Sequence, residues 1–162
     1  MVNITIKQAR KEDVSIILDF IKQLALYEKE PQSVEATKEI LTKSLFVEHS
    51  AHCVFVCEGE NKVGFALYFY NFSTWKGKKG LYLEDLFVLE EYRHKGYGKA
   101  LLSYLAAKAV KEDCGRFEWI VLDWNSPSIA VYKSLGAKPM SDWTVFRLEG
   151  NELSSLAKQN KY

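Results

Sequence analysis

The stretch from Leu81 to Lys111 restricts the fold more than any other part of the chain. An apolar, strand-like run (Leu81 to Val88) passes through Leu89-Glu90-Glu91-Tyr92-Arg93-His94-Lys95-Gly96-Tyr97-Gly98 into an amphipathic, helix-like run from Tyr97 to Lys111. A strand entering a helix through a basic, glycine-punctuated turn is a geometry that holds phosphate. Backbone N–H groups point into the turn, the new helix adds its positive end, and glycines let the chain approach a ligand closely. A Walker loop would need Gly, four residues, then Gly-Lys-Ser/Thr, and is absent. A dinucleotide fingerprint would need a small residue three after Gly98, where Leu101 stands, and it usually opens a fold rather than falling mid-chain. Two readings of Arg93-x-x-Gly96-x-Gly98 remain: a phosphate turn of another kind, or a basic turn capping an ordinary helix.

The rest of the chain supplies the elements such a unit packs against. Val2, Ile4 and Ile6 alternate and predict a first strand. Asp13 can cap a helix with an apolar stripe of Ile16, Ile17, Phe20, Ile21, Leu24 and Ala25, closed before Pro31. A second helix is expected over Ala36 to Val47. Strands are expected over Cys53 to Cys57 and Lys62 to Phe72, joined at Gly59-Glu60-Asn61. Trp75 to Gly80 is a turn, Phe117 to Leu122 a strand, and Ser126-Pro127 opens a helix with serine as its cap and Gly136 at its end. Trp143 to Leu148 reads as a last strand, and Leu153 and Leu156 as a short terminal helix. The expected fold is mixed α/β (α+β): a mainly antiparallel twisted sheet with helices on both faces, in one domain spanning 1–162.

Composition narrows the function classes. The net charge is +1, from 22 basic and 21 acidic residues with no basic run, which argues against nucleic acid as the main partner. Three cysteines is an odd number, and Cys53 and Cys57 would lie roughly 13 Å apart on one strand, too far for a disulfide. His49-x-x-His52-Cys53 lacks a second ligand pair, so no metal is expected. No secretory leader pattern and no apolar run near the ~18 residues of a membrane helix occurs, so a reduced, cytoplasmic setting is expected.

Two acids interrupt the run Leu81-Tyr82-Leu83-Glu84-Asp85-Leu86-Phe87-Val88. Burying an ionised carboxylate costs several kcal/mol unless a cation or proton relieves it. On a regular strand Glu84 and Asp85 point to opposite faces, with Glu84 on the side of Leu86 and Val88, so at most one of them lines a given cleft unless the strand bulges. Either both pair with lysine or arginine elsewhere, or one of them serves a cationic ligand. An alkyl ammonium is neutral in only about one molecule per two thousand at pH 7, so a carboxylate that takes its proton removes an obstacle of about 4 to 5 kcal/mol. Glu84 is the candidate for that role. Ser128 and Tyr132 share a helix face. The Tyr132 hydroxyl could protonate a leaving group, or its ring could simply be a core aromatic with a wet tip.

The glycine turn resembles that of the GNAT acetyltransferases, which binds the pyrophosphate of acetyl-CoA. Gly64-Phe65-Ala66-Leu67-Tyr68-Phe69-Tyr70, Trp75-Lys76-Gly77, Tyr82 to Val88, Trp124 to Ile129 and Leu24-Ala25-Leu26-Tyr27-Glu28 extend the likeness to the spermidine/spermine (diamine) and thialysine branch, from about residue 3 to about residue 155. The resemblance implies Tyr132 as general acid and Glu84 as the substrate-amine carboxylate. Tyr27, Glu28, Asp85 and Trp75 would line the amine site. Leu86, Phe87 and Val88 would pair with the pantetheine arm, where an N–H would polarise the acetyl carbonyl. Arg93, His94, Lys95, Gly96, Tyr97, Gly98 and Lys99 would form the pyrophosphate turn, and Asn125, Ser126, Pro127, Ser128 and Tyr132 would make further coenzyme contacts. It also implies a homodimer. Polyamine-specific members carry an acid two residues before the turn tryptophan, where Ser73 stands here, which points to a shorter acceptor. An acetyltransferase for a protein lysine or N-terminus, and a non-catalytic acyl-CoA-binding module, are the competing expectations.

Overall fold

A computed structural model describes residues 3–162; Val2, expected in the first strand, lies outside them. The chain forms two compact units, one ending at Leu122 and one running from Asp123 to Tyr162.

The first unit is a five-stranded sheet ordered β1-β2-β3-β4-β5. Its strands are β1 (Ile4–Gln8), β2 (His52–Glu58), β3 (Asn61–Ser73), β4 (Lys78–Val88) and β5 (Phe117–Trp119). Strands β1 to β4 pair antiparallel, and β5 joins β4 in parallel. The predicted helices form as α1 (Val14–Tyr27), α2 (Lys38–Phe46) and α3 (Tyr97–Lys111). Helix α1 buries Val14, Ile17, Leu18, Phe20 and Leu24, whereas Ile16, expected in the apolar stripe, is exposed. Asp13 makes no side-chain cap for α1. Its carboxylate instead accepts from Arg10 N–H at 2.9 Å and pairs with Lys62 at 2.7 Å.

Alternation divides the sheet residues between two layers. Phe55, Phe65, Leu67 and Phe87 join α1 and α2 in one core, with the Phe20 ring 5.6 Å from Phe65 and 5.9 Å from Phe87. Burying a ring of that size stabilises by about 1.5–3 kcal/mol. The alternate residues Val54, Val56, Ala66, Leu81 and Leu83 are buried on the other face, where Leu101, Leu102, Leu105 and Ala109 of α3 are buried too.

Two irregularities shape β4. Register slips between Leu67 and Tyr68: Leu67 faces Asp85, Tyr68 faces Leu83, and Glu84 has no opposite residue. Glu84 is thus a bulge. Nearer the strand end, a Cβ on Gly64 would stand 2.5 Å from the Phe87 carbonyl oxygen, so only glycine lets β3 approach β4 there.

The second unit carries α4 (Ser126–Ser134) and α5 (Gly150–Ala157). Asn125, not Ser126, caps α4, its Oδ1 accepting from Ser128 N–H at 3.4 Å. Gly136 follows the helix with φ 87. Residues 143–148, expected as a last strand, form none, and the predicted strand from Phe117 stops at Trp119. Apolar alternation gives a segment a face to bury, but a strand also needs a neighbouring backbone to pair with.

Candidate active site

The site begins where β4 outruns β5. Their ladder covers Leu81, Tyr82 and Leu83 only, so from Glu84 to Val88 one edge of β4 has no strand beside it among the described residues. Its N–H and C=O groups there are available to an extended ligand. A short 3₁₀ turn over Glu90–Tyr92 follows, then the predicted basic turn. His94 and Gly96 take left-handed backbones, φ 61 and 90, before α3 starts at Tyr97. A non-glycine residue held left-handed costs of order 1–3 kcal/mol, a strain concentrated at ligand clamps. Gly96 offers no side-chain cap, so the first N–H groups of α3 lack a protein acceptor from that position and face the turn with the helix's positive end. The space a Cβ on Gly96 would enter is open, and one on Gly98 would lie 3.7 Å from Leu86 Cδ2. Lys95 lies over the Tyr92 ring at 5.2 Å, and His94 and Lys99 are exposed.

Arg93, expected in the pyrophosphate turn, turns its side chain elsewhere. Its Nε donates to the Val88 carbonyl at 3.0 Å, and its guanidinium lies 4.9 Å from the Tyr27 ring centre and 5.6 Å from that of Phe87.

Alternation holds for Asp85, which faces Leu67 on the α1 side of the sheet with Phe87, while Glu84, the extra residue of the bulge, is exposed. Burial, with the negative charges of Glu84 and Glu28, pushes the Asp85 carboxyl up to about 7. Burial also raises Glu28, which caps the C-terminal end of α1, where the helix dipole disfavours an anion. Glu112 provides the contrast: Lys108, Tyr70 and Lys79 bond to its carboxylate and bring it down to about 2. No lysine or arginine pairs with Asp85 among the described residues, so the reading in which both acids are neutralised within the protein fails for Asp85. Three carboxyl groups thus converge at one end of the sheet beside Tyr27, an arrangement that suits a cation.

Trp75 does not join them. It sits on the turn before β4, 88% exposed, and the strand from Lys78 to Asp85 runs roughly 23 Å at ~3.3 Å per residue. The resemblance implied Trp75 in the amine site, whereas within this chain the hairpin carries it to the opposite end of the strand. Asn125, Ser126, Pro127, Ser128 and Tyr132 stand together on α4 and its cap, with Ser128 and Tyr132 one turn apart. Sequence reasoning left a bulge at the two acids open without placing it, and missed the destination of the Arg93 side chain. The doubled acid inside an apolar strand was the one available signal for the former.

A model of the acetyltransferase (GNAT) family matches residues 16–137. The chain is 35% identical to the thialysine N-epsilon-acetyltransferase of Sus scrofa, across 97% of this chain and 99% of that protein. It is 45% identical to the L-ornithine N5-acetyltransferase of Arabidopsis thaliana over a shorter span, 60% of this chain and 42% of that one. Among solved structures, an integron cassette protein from the mobile metagenome of V. cholerae matches with a TM-score of 0.80 at 29% identity, covering 98% of this chain and 99% of that chain.

Proposed function

The chain belongs to the acetyltransferase (GNAT) family and is an enzyme of acetyl transfer to amines; we propose that its acceptor is the side-chain or terminal amine of a small diamine or a thialysine-like amino acid. Acetyl-CoA, the family's co-substrate, is the donor. The acetyl group passes directly to the amine with both substrates bound. Carrying this reading is Asp85, a partly buried carboxyl pushed up to about 7 beside Glu84 and Glu28, at the end of the sheet where β4 loses its neighbour.

In the proposed reaction, the pantetheine arm lies along the free edge of β4 at Leu86, Phe87 and Val88, and a backbone N–H of that edge polarises the acetyl carbonyl. The diphosphate is held at His94 to Lys99. Glu28 and Glu84 hold the arriving ammonium, and Asp85 takes its proton, directly or through water. The neutral amine attacks the thioester carbon, and the tetrahedral intermediate collapses as its C–S bond breaks; Tyr132 protonates the departing thiolate, and the proton shed by the acylated nitrogen restores the Tyr132 phenol, directly or through water. A carboxyl near pH 7 combines a useful ionised fraction with useful basicity. Cys53 and Cys57 are buried within the sheet, where burial pushes both thiols up, so neither suits a covalent acetyl carrier. The family match, over residues 16–137, extends from the first unit into the start of the second, which supports one catalytic domain; a cytoplasmic homodimer belongs to the same proposal.

An acceptor panel tests the substrate class. Transfer to thialysine, ornithine, putrescine, spermidine and spermine should give the highest kcat/KM for one of the first three; a maximum with spermine would refute the short-acceptor reading. The donor site has its own test. Gly96→Val places a β-branched residue at φ 90 and fills the open space of the turn, and should weaken CoA binding at least about tenfold. Wild-type affinity by isothermal titration would remove the turn from coenzyme binding.

A further inference from the structure

Arg93 touches three separate parts of the proposed site. Its Nε donates to the Val88 carbonyl, at the end of the open strand edge, at 3.0 Å. Its guanidinium lies over the ring of Tyr27, the last residue of α1, and over Phe87. Its own backbone leads into left-handed His94, the first strained residue of the basic turn. A guanidinium engaged by two rings and by a carbonyl through Nε is a brace, with less freedom to follow a phosphate than a lysine on the surface.

We infer that Arg93 is a positioning residue that couples the acceptor wall at Tyr27 to the donor edge at Val88 and the turn behind it. This rests on the donor and acceptor assignments above. The coupling runs through discrete contacts. If the Tyr27 ring is absent, the guanidinium loses the nearer of its two ring contacts and is freer to leave the Val88 carbonyl. The strand end and the turn then lose a common anchor, and the coenzyme meets a less ordered site. The amine pocket therefore helps set donor affinity without touching the donor.

The test measures CoA binding by isothermal titration, with no acceptor present. Tyr27 is 38% exposed, so its replacement should leave folding intact. Tyr27→Leu should weaken CoA binding about three- to tenfold, the scale of a lost cation–π contact. Tyr27→Phe keeps a ring and should bind CoA like wild type. Arg93→Lys keeps the charge but loses the planar fork and the Nε–H, and should weaken binding about tenfold or more. The double variant should be no weaker than Arg93→Lys alone, because both changes break one connection. A purely structural Tyr27 would lower the melting temperature without altering CoA affinity. The inference is overturned if Tyr27→Leu binds CoA within about twofold of wild type, or if the two losses multiply. Wild-type protein that failed to bind CoA would defeat the donor assignment itself, a separate and recognisable failure.

Discussion

Asp85→Asn is expected to lower kcat/KM at neutral pH about a hundredfold while making the protein harder to unfold in alkaline solution. Both effects come from the same buried charge. The folded chain binds the Asp85 proton more tightly than the unfolded chain does, since the carboxyl rises from its ordinary 3.8 to about 7. Stability from this group is therefore fully present below pH 3.8 and is lost as pH rises through about 7. Across pH 5 to pH 8 the loss has a ceiling of about 2–3 kcal/mol, at 1.36 kcal/mol per pH unit. Asparagine does not ionise and escapes it. Urea unfolding at pH 5 and pH 8 should show the variant gaining on wild type at the higher pH, and an equal difference at both would contradict the raised carboxyl.

The kinetic half of that prediction separates the two acids of β4. With Asp85 as base, the acid limb of the kcat/KM profile lies near pH 7 and disappears in Asp85→Asn. Glu84→Gln should leave the limb in place but move it to lower pH, because a like charge that raises Asp85 has gone. It should also raise the acceptor KM. If Glu84→Gln abolished the limb and Asp85→Asn retained it, the proton would belong to Glu84.

Tyr132→Phe should cut kcat at least about tenfold and leave acetyl-CoA affinity unchanged. The phenyl ring preserves the packing of α4 and removes only the proton. A CoA thiolate leaving the tetrahedral intermediate without a proton is a poorer leaving group, so collapse back to reactants gains. Affinity for the donor, measured by titration, involves no such step. An unaltered kcat would take Tyr132 out of the chemistry.

Much of this is legible in the sequence. The strand, the basic turn and the following helix are a local unit, specified by Gly96, Gly98 and the apolar spacing of Leu101, Leu102 and Leu105, and they form as read. Pairing defeated the expectations elsewhere. A bulge belongs to two strands at once, so the doubled acid in Leu83-Glu84-Asp85-Leu86 admits one without showing that β3 skips Glu84. Arg93 was read from its neighbours in the motif, whereas its side chain meets the Val88 carbonyl and the rings of Phe87 and of Tyr27, the last on a distant helix. Ser126 lost the cap of α4 to Asn125 by one residue, a choice between two good capping side chains. Trp75 came with the resemblance alone, and the length of the β3–β4 hairpin, which sets it far along the strand from the acids, is a property of pairing rather than of the motif.

The short ladder between β4 and β5 has a final consequence. A coenzyme arm seated against Leu86 to Val88 would take the place of a missing peptide segment, so the small molecule would be architecture as well as reagent. Each turnover would then remove a piece of the enzyme's own secondary structure and install a fresh one.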